Sequence, residues 1–270
     1  MGSEYIKAVI LGVIQGVTEF LPVSSKGHLV ILREPLDRWL HIHSEEADNL
    51  QLFIALHLGT LVSILWFYRA DLLRMRLRMG AAVVLATLPL VAAALVFKQK
   101  LEFAYSVPLW AGFGLLATAV ILFLGQRIPL GNITLEELSL RNALYAGVFQ
   151  MLAILPGVSR SGTTIVGGSL SGLQREAAAN FSFLIAIPAI CGAAVLMGHD
   201  ILQGHGGGNA ASVMLVGALT SFVVGLAAIR WLLRMIVIGR LHWFAWYCAA
   251  TGLATITWQL WEWASHSTTG

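Results

Sequence analysis

Six long apolar segments limit what this chain can fold into. They lie near residues 50–68, 80–97, 107–125, 180–198, 212–234 and 243–264. Each approaches the length of about 20 mostly apolar residues that an α-helix needs to cross a bilayer. Only 11% of the 270 residues are charged, against about 25% in soluble domains. The sequence therefore predicts an all-α polytopic membrane protein, a single membrane domain over residues 1–270 with six transmembrane helices.

Two further apolar segments, 4–31 and 141–171, are each interrupted by a proline that a Ser- and Gly-rich cluster follows. These prolines are Pro22 and Pro156. Proline removes a backbone N–H and disfavours helix at the preceding residue. The apolar run before each proline covers only about 12 to 15 residues, which is short for a span and typical of a re-entrant piece. We therefore expect two re-entrant helical hairpins beside the six spans.

The two interrupted segments also resemble each other. AVILGVIQGVTEFLPVSS begins at Ala8, and ALYAGVFQMLAILPGVSRS begins at Ala143. Both contain A-x-x-x-G-V-x-Q, then Leu-Pro, then serines. The pattern predicts internal repeats over 1–135 and 136–270. With three spans in each half, the second repeat is inverted relative to the first, an arrangement that puts a binding site near the midplane of the bilayer.

The distribution of basic residues predicts the orientation in the membrane. Ten arginines fall on one side of the predicted topology: Arg69, Arg74, Arg76, Arg78, Arg127, Arg141, Arg175, Arg230, Arg234 and Arg240. The opposite side has five basic residues: Lys7, Arg33, Arg38, Lys98 and Lys100. Because cytoplasmic loops carry the excess of Lys and Arg, the first group is expected inside and the first hairpin outside. The basic residues are spread over loops, so no nucleic acid partner is expected.

A carboxylate and an amide share one face of the first interrupted segment. Gln15 and Glu19 are four residues apart, so they project side by side from a helix. Glu19 is one of very few acids inside an apolar segment, and an ionisable group at membrane depth is a functional candidate. His28 is a weaker candidate, since a lone histidine is often only hydrogen-bonded. For His57 we expect a structural or supporting role.

The residues after each proline predict an anion site. Ser24 or Ser25 is a natural N-cap for a new helix, whose first N–H groups would point into the break and bind an anion. Gly27 would let a ligand approach the backbone closely. The second segment repeats this pattern with PGVSRSGTT and adds Arg160, whose planar guanidinium suits phosphate. Together with Lys26, these groups predict a site for a highly charged anion such as a diphosphate.

Two motifs, QGVTEFLPVSSKGH and PGVSRSGTT, resemble those of the bacterial undecaprenyl-diphosphate phosphatases of the BacA type, which are linked to bacitracin resistance. The resemblance covers the whole chain. It implies removal of one phosphate from the C55 isoprenyl diphosphate, so that the lipid monophosphate is recycled for peptidoglycan precursors. It also implies an inverted repeat in the bacterial plasma (inner) membrane, an active site open to the periplasmic side, a Mg²⁺ or Ca²⁺ ion, and a possible homodimer.

The resemblance also assigns expected roles to individual residues. Glu19 matches the second carboxylate of the family's (E/Q)xxxE motif, and Gln15 fills the first place, where other members have Glu. These two are the candidate metal ligands, and Gln15 leaves one carboxylate at this motif instead of two. Ser25 and His28 match the nucleophile and its partner, and Lys26 stands where Thr or Ser is often found. Catalytic roles are expected for Glu19, Ser25, His28 and Arg160. Substrate binding is expected for Gln15, Ser24, Lys26, Gly27, Ser159, Ser161 and Thr164.

Three functional hypotheses stay open at this point. In the first, the protein is an enzyme that hydrolyses the phosphoanhydride bond. Ser25 attacks the terminal phosphorus with His28 as its base, or His28 itself attacks. In the second, the protein is a transporter or flippase of a lipid phosphate or an anion, since inverted repeats with broken helices are also the architecture of transporters. In the third, an inactive relative only binds the lipid diphosphate.

Overall fold

The computed structural model describes residues 2–42, 46–200 and 210–267, and these ranges are almost entirely helical. The first repeat predicted from the sequence contains α1 (Gly2–Phe20), α2 (Ser25–Leu40), α3 (Glu46–Phe67), α4 (Arg69–Leu73), α5 (Leu77–Ser106) and α6 (Pro108–Gln126). The second contains α7 (Leu140–Leu152), α8 (Arg160–Leu170), α9 (Arg175–Asp200), α10 (Ala211–Val237) and α11 (His242–Ser267). The predicted all-α class is confirmed. The side chains of Lys98 and Lys100 lie outside the described part.

Five helices in the described ranges are long and apolar enough to cross a membrane: α3, α5, α6, α9 and α10. They correspond to five of the six predicted spans, so a polytopic membrane protein is confirmed. The sixth predicted segment, 243–264, folds as the 26-residue helix α11 but is not one of these five. Gln259 and Glu262 lie among its tryptophans and lower its mean hydropathy.

Both interrupted segments contain the predicted break. Helix α1 ends at Phe20, and α2 begins at Ser25 with Ser24 as its N-cap. Helix α7 ends at Leu152, and α8 begins at Arg160 with Ser159 as its N-cap. Helix α8 has 11 residues and so extends about 16 Å, roughly half of the hydrocarbon core of a bilayer.

The helices pack so that each interrupted segment lies along a long helix of the other half of the chain. Helix α1 packs along α10, and α7 packs along α5. The α1–α10 contact depends on small residues, because a Cβ on Gly16 would lie 2.8 Å from Cβ of Val224. The centre of the protein is apolar, with Phe20 of α1 edge-on to Phe183 of α9 and both side chains fully buried.

The two breaks meet each other inside the protein. A Cβ on Gly27, in the first turn of α2, would lie 2.8 Å from Cα of Gly157 in the second break. Gly157 has a φ of 83°, in the left-handed region that glycine favours. The hydroxyl of Thr118 on α6 makes two hydrogen bonds to this break. It donates to the Gly157 carbonyl at 2.9 Å and accepts from the Ser159 N–H at 2.9 Å. The beginnings of α2 and α8 are thereby brought side by side.

Candidate active site

Glu19, the predicted intramembrane carboxylate, is the centre of a buried polar cluster. It is 8% exposed and lies on the last turn of α1. One carboxylate oxygen, Oε1, accepts from Nη2 of Arg160 at 2.8 Å. The other oxygen, Oε2, accepts from Oγ of Ser25 at 2.6 Å and from Nε2 of Gln15 at 3.1 Å. The structure therefore brings three other predicted site residues, Gln15, Ser25 and Arg160, together around the carboxylate of Glu19.

Three helices supply these side chains. Gln15 and Glu19 share one face of α1, as their spacing predicted, and Ser25 follows the break as the first residue of α2. Arg160 is the first residue of α8 and comes from the other interrupted segment. Since the two breaks are in contact, the start of α8 delivers the guanidinium to the carboxylate on α1.

Arg160 has donors to spare for a ligand. Its guanidinium donates to Glu19 and, at 3.3 Å, to the backbone carbonyl of Ser182 on α9. A guanidinium carries five N–H donors, so these two bonds leave most of them for other acceptors. The side chain is 13% exposed, and Arg160 lines the cavity described below. An anion in that cavity could therefore bind Arg160 directly.

The helix beginnings have the N-caps that the sequence predicted. Oγ of Ser24 accepts from the Gly27 N–H at 3.3 Å, and Oγ of Ser159 accepts from the Gly162 N–H at 3.1 Å. Ser24 and Ser159 also line the cavity. Both helices therefore begin at the same space, and their first-turn N–H groups favour negative charge there.

Ser161 and Thr164, two predicted substrate-binding residues, are buried and bonded within the protein. Ser161 donates to the carbonyl of Leu21 at 3.0 Å and so ties α8 to the first break. The Thr164 hydroxyl donates to the Arg160 carbonyl at 2.8 Å and lies 2.6 Å from the hydroxyl of Ser182. In this arrangement both residues support the position of Arg160, and neither lines the cavity.

The ring nitrogens of His28, the predicted partner of Ser25, contact groups other than the Ser25 hydroxyl. Its Nδ1 lies 2.8 Å from the carbonyl oxygen of Ser24, and its Nε2 lies 2.7 Å from the hydroxyl of Tyr247 on α11. A carbonyl can only accept, so Nδ1 carries the proton and Nε2 of the neutral ring accepts from Tyr247. Both ring nitrogens are engaged, and the base in contact with Ser25 is Glu19. The catalytic role of His28 stays a prediction.

A cavity opens beside the cluster. Its polar wall includes Thr18, Glu19, Ser25, Lys26, His57 and Arg160. Its apolar wall comes from α5 and α9, through Leu90, Ala189, Ile190 and Ala193. The cavity therefore has a charged wall and an apolar wall, which suits an amphiphilic ligand.

Lys26 is exposed at this cavity and rests on an aromatic ring. Its ammonium lies 5.4 Å from the ring centroid of Tyr105 and 3.4 Å from the Tyr105 hydroxyl. That hydroxyl donates to the carbonyl of Ile154 in the second break at 2.7 Å. Lys26 is thus held at the cavity, where its charge can act on a bound anion. A phosphate contact by Lys26 stays a prediction.

Four residues with roles around the site were not assigned to it from the sequence. His57, for which a structural or supporting role is expected, lines the cavity with Nε2 at 4.0 Å from Oε2 of Glu19. Tyr247 and Tyr105 come from helices far along the chain from the motif residues they contact, whereas Ser182 lies 22 residues after Arg160 on the next helix, α9. Each of these three residues carries a side-chain hydroxyl in an apolar helix. This feature could have suggested a polar contact, but many other residues of the sequence have it too.

The residues beside Glu19 offer only part of a metal site. The described residues contain no group of three or more His, Cys, Asp or Glu side chains that could hold a metal ion. Glu19, Ser25 and Gln15 nevertheless present oxygen atoms of the kind that Mg²⁺ and Ca²⁺ bind. Oε1 of Gln15 is buried and has no hydrogen-bond partner among the described residues. A buried acceptor oxygen without a donor is suited to coordinate a cation.

The fold and the site together define a polytopic membrane protein with a buried Ser–Glu–Arg cluster at two helix breaks. The family profile described as bacitracin resistance protein BacA matches residues 8–254. The chain belongs to the BacA family.

Several curated relatives carry the name undecaprenyl-diphosphatase. The protein of Rhodopirellula baltica is 43% identical over 258 residues, covering 94% of this chain and 98% of the relative. The Methanobrevibacter smithii protein is 38% identical over 275 residues, covering 93% and 96% respectively. The Desulfosudis oleivorans protein is 37% identical over 277 residues, covering 94% and 98%.

Proposed function

We propose that this protein hydrolyses undecaprenyl diphosphate to undecaprenyl phosphate and phosphate, and so recycles the lipid carrier of peptidoglycan synthesis. The observation that carries the proposal is the contact of one carboxylate, Glu19, with a candidate nucleophile, Ser25, and with a phosphate-binding cation, Arg160. Membership of the BacA family and the names of the relatives support the same reaction.

In the first chemical step, Oγ of Ser25 attacks the terminal phosphorus. The bond between that phosphorus and the bridging oxygen breaks, and undecaprenyl phosphate leaves. The hydroxyl proton passes to Glu19, which already accepts the Ser25 hydrogen bond at 2.6 Å. A hydroxyl is a weak nucleophile until an adjacent base takes its proton, and this contact supplies the base.

In the second step, water attacks the phosphoserine. Glu19, now protonated, returns its proton to Oγ of Ser25 as the P–O bond to the serine breaks, and inorganic phosphate leaves. The enzyme is thereby restored. The same carboxylate acts as acid and base in turn, which requires that it stay in contact with Ser25 throughout.

Charge stabilisation is the main task of the remaining polar groups. Phosphoryl transfer passes through a loose transition state whose charge lies on the peripheral oxygens. Arg160, the ammonium of Lys26 and the first N–H groups of α2 and α8 surround the space where these oxygens would lie. Preorganised donors of this kind lower the barrier without reorganising during the reaction.

The contacts of His28 favour Ser25 as the nucleophile. Both nitrogens of His28 are bonded to other groups, whereas Ser25 contacts a base and lines the cavity. Attack by His28 through a phosphohistidine is the alternative, and it requires Nε2 to leave Tyr247. The trapping experiment in the Discussion separates the two.

A Mg²⁺ or Ca²⁺ ion is part of the proposal, because the oxygen donors present fit a hard cation. Glu19 and Gln15 would hold it, with the unpaired amide oxygen of Gln15 as the second ligand. The ion would neutralise charge on the diphosphate. With one carboxylate instead of two, the residues of this chain carry more of that task themselves.

The membrane arrangement is proposed as six transmembrane helices with two re-entrant hairpins in inverted repeats. The packing of α1 along α10 and of α7 along α5 supports the two-fold relation. We place the protein in the plasma membrane with the site open to the periplasmic side, as the distribution of arginines suggests. The isoprenyl tail would lie against the apolar wall of α5 and α9. A homodimer, which the family resemblance implies, is testable by cross-linking in membranes.

The direct test is phosphate release from undecaprenyl diphosphate by the purified protein in detergent. We expect turnover, with a Ser25→Ala variant as the inactive control. Binding without release would indicate an inactive relative. Movement of the lipid across vesicle membranes without release would indicate a transporter or flippase.

A further inference from the structure

Ser24, the residue that ends the first break, has a strained backbone. Its φ is 68° and its ψ is 96°, and only one other non-glycine residue in the described ranges, His41, has a positive φ. Such a conformation persists only where the surrounding structure holds it in place, and it is often found next to functional groups. The next residue along the chain is Ser25. The contacts that hold Ser24 therefore also decide where the Ser25 hydroxyl points.

His28 provides two of the three hydrogen bonds to Ser24. Its backbone N–H donates to the Ser24 carbonyl at 3.2 Å, and its ring Nδ1 donates to the same oxygen at 2.8 Å. The third bond runs from the Gly27 N–H to Oγ of Ser24. The imidazole thus fastens the carbonyl of the strained residue.

Tyr247 of α11 holds the other side of the imidazole. Its hydroxyl lies 2.7 Å from Nε2 of His28. The two rings are nearly parallel, with an interplanar angle of 7° and centroids 5.6 Å apart. Because Nε2 accepts from Tyr247, the proton of the neutral ring stays on Nδ1, where the bond to Ser24 needs it.

The second break lacks an equivalent of the Tyr247–His28–Ser24 chain of contacts. Its N-cap, Ser159, has an ordinary extended backbone with a φ of −76°. Thr163 is four residues after this N-cap, as His28 is after Ser24, and its backbone N–H likewise donates to the Ser159 carbonyl at 2.9 Å. Its side-chain hydroxyl, however, donates to the Arg160 carbonyl and makes no bond to Ser159. This chain of contacts therefore occurs at the break that carries Ser25, where the backbone is strained.

We propose that Tyr247 is a positioning residue of the active site, acting through His28 and Ser24 to keep the Ser25 hydroxyl on Glu19. The inference rests on the proposed function, since the geometry it preserves is that of Ser25 attack. It assigns His28 a supporting role and lets α11 influence, through His28, a site built from α1, α2 and α8.

The first test removes only the hydroxyl of Tyr247. In Tyr247→Phe we expect kcat for prenyl diphosphate hydrolysis to fall about tenfold, equivalent to about 1.4 kcal/mol, with KM within about twofold of native. Tyr5→Phe is the matched control, because it removes another tyrosine hydroxyl bond between helices, 2.8 Å from Ser212, away from the site. We expect native kinetics from that control.

The second test reads the histidine directly. With ¹⁵N-labelled histidine, the His28 ring should show a single Nδ1–H tautomer in the native protein and a mixture in Tyr247→Phe. This measurement needs no turnover, so it separates failure of this inference from failure of the proposed function. His28→Asn keeps a donor near the Nδ1 position. It should retain more activity than His28→Ala, and adding Tyr247→Phe to it should cost nothing further.

Either of two results overturns the proposal. One is a Tyr247→Phe variant with native kcat and an unchanged His28 tautomer. The other is a phosphate adduct on His28 of the native protein, with His28→Asn as inactive as His28→Ala, which would make His28 the nucleophile.

Discussion

Arg160 and Glu19 are 141 positions apart in the sequence, yet Nη2 of one lies 2.8 Å from Oε1 of the other inside the protein. This ion pair joins the two interrupted segments, and it makes the carboxylate that contacts Ser25 also the partner of Arg160, the proposed phosphate-binding group. A diphosphate that binds the remaining donors of Arg160 would share the positive charge of the guanidinium with Glu19. Substrate binding is therefore expected to loosen the pair and to leave Glu19 freer to accept the proton of Ser25.

Replacing Arg160 tests whether it serves the ligand. Arg160→Ala should lower kcat/KM about 10³-fold or more, as removal of a charge-stabilising donor or arginine does in other enzymes. Arg160→Lys should restore little activity, since an ammonium is a point charge and cannot bind phosphate with two parallel N–H groups as a guanidinium does. The measurement is phosphate release in detergent, with the melting temperature as a check on folding. Near-native release by the alanine variant would show that Arg160 does not bind the substrate.

Trapping the intermediate identifies the nucleophile. Ser25→Ala should abolish turnover, because it removes the hydroxyl that Glu19 activates. Mass spectrometry of native protein quenched during turnover should find phosphate on Ser25. An adduct on neither Ser25 nor His28, with inversion at a chiral phosphorus, would point to direct attack by water.

Two departures from the family pattern predict unusual behaviour toward chelators. Relative to a Glu and Thr version, Gln15 and Lys26 each shift the local charge by about one unit toward positive, as a divalent cation also does. Because Lys26 is held at the cavity on Tyr105, we expect it to replace part of the effect of the metal. Phosphate release should therefore survive EDTA better in the native protein than in Lys26→Thr.

The double variant Gln15→Glu with Lys26→Thr completes this experiment. It restores a second carboxylate and removes the ammonium, so its activity should depend strictly on Mg²⁺ or Ca²⁺. Equal loss on chelation in all three proteins would rule out the substitution of metal by Lys26. In that case Lys26 would only extend toward the membrane interface.

The packing of the second break against α6 predicts a stability effect. Gly157→Ala should destabilise the protein by about 2 kcal/mol or more, because alanine is strained at positive φ and its Cβ would meet the Ala111 carbonyl. Gly192→Ala is the matched control, since a Cβ there has no neighbour within 4 Å. Thermal unfolding in detergent should show a lower midpoint for the first variant and no decrease for the second. Equal midpoints for the two variants would contradict the close packing of Gly157 against α6.

Local properties of the sequence were enough to predict most of the secondary structure. Apolar length predicted the five helices that are long enough to cross a membrane, and Pro22 and Pro156 predicted the breaks. Either Ser24 or Ser25 was expected as the N-cap of α2, and the structure has Ser24 there. The apolar helices depend on hydropathy, the breaks on the N–H that proline lacks, and the N-cap on a side chain within a few residues. All three are local properties of the sequence. The spacing of Gln15 and Glu19 likewise placed both on one helix face, because that periodicity is a property of the helix alone.

Only the tertiary structure decided which polar groups meet. Ser25 contacts Glu19 instead of His28, His28 contacts Tyr247, and Gly27 packs against Gly157. Such contacts depend on how helices cross, and helices with similar apolar surfaces can cross in many ways that the residue pattern does not distinguish. Within a bilayer each buried polar side chain must find a partner, but its identity is determined by which helix packs alongside. The sequence therefore determined the chemistry available to this site, and the packing of α1, α2, α8 and α11 determined how that chemistry is connected.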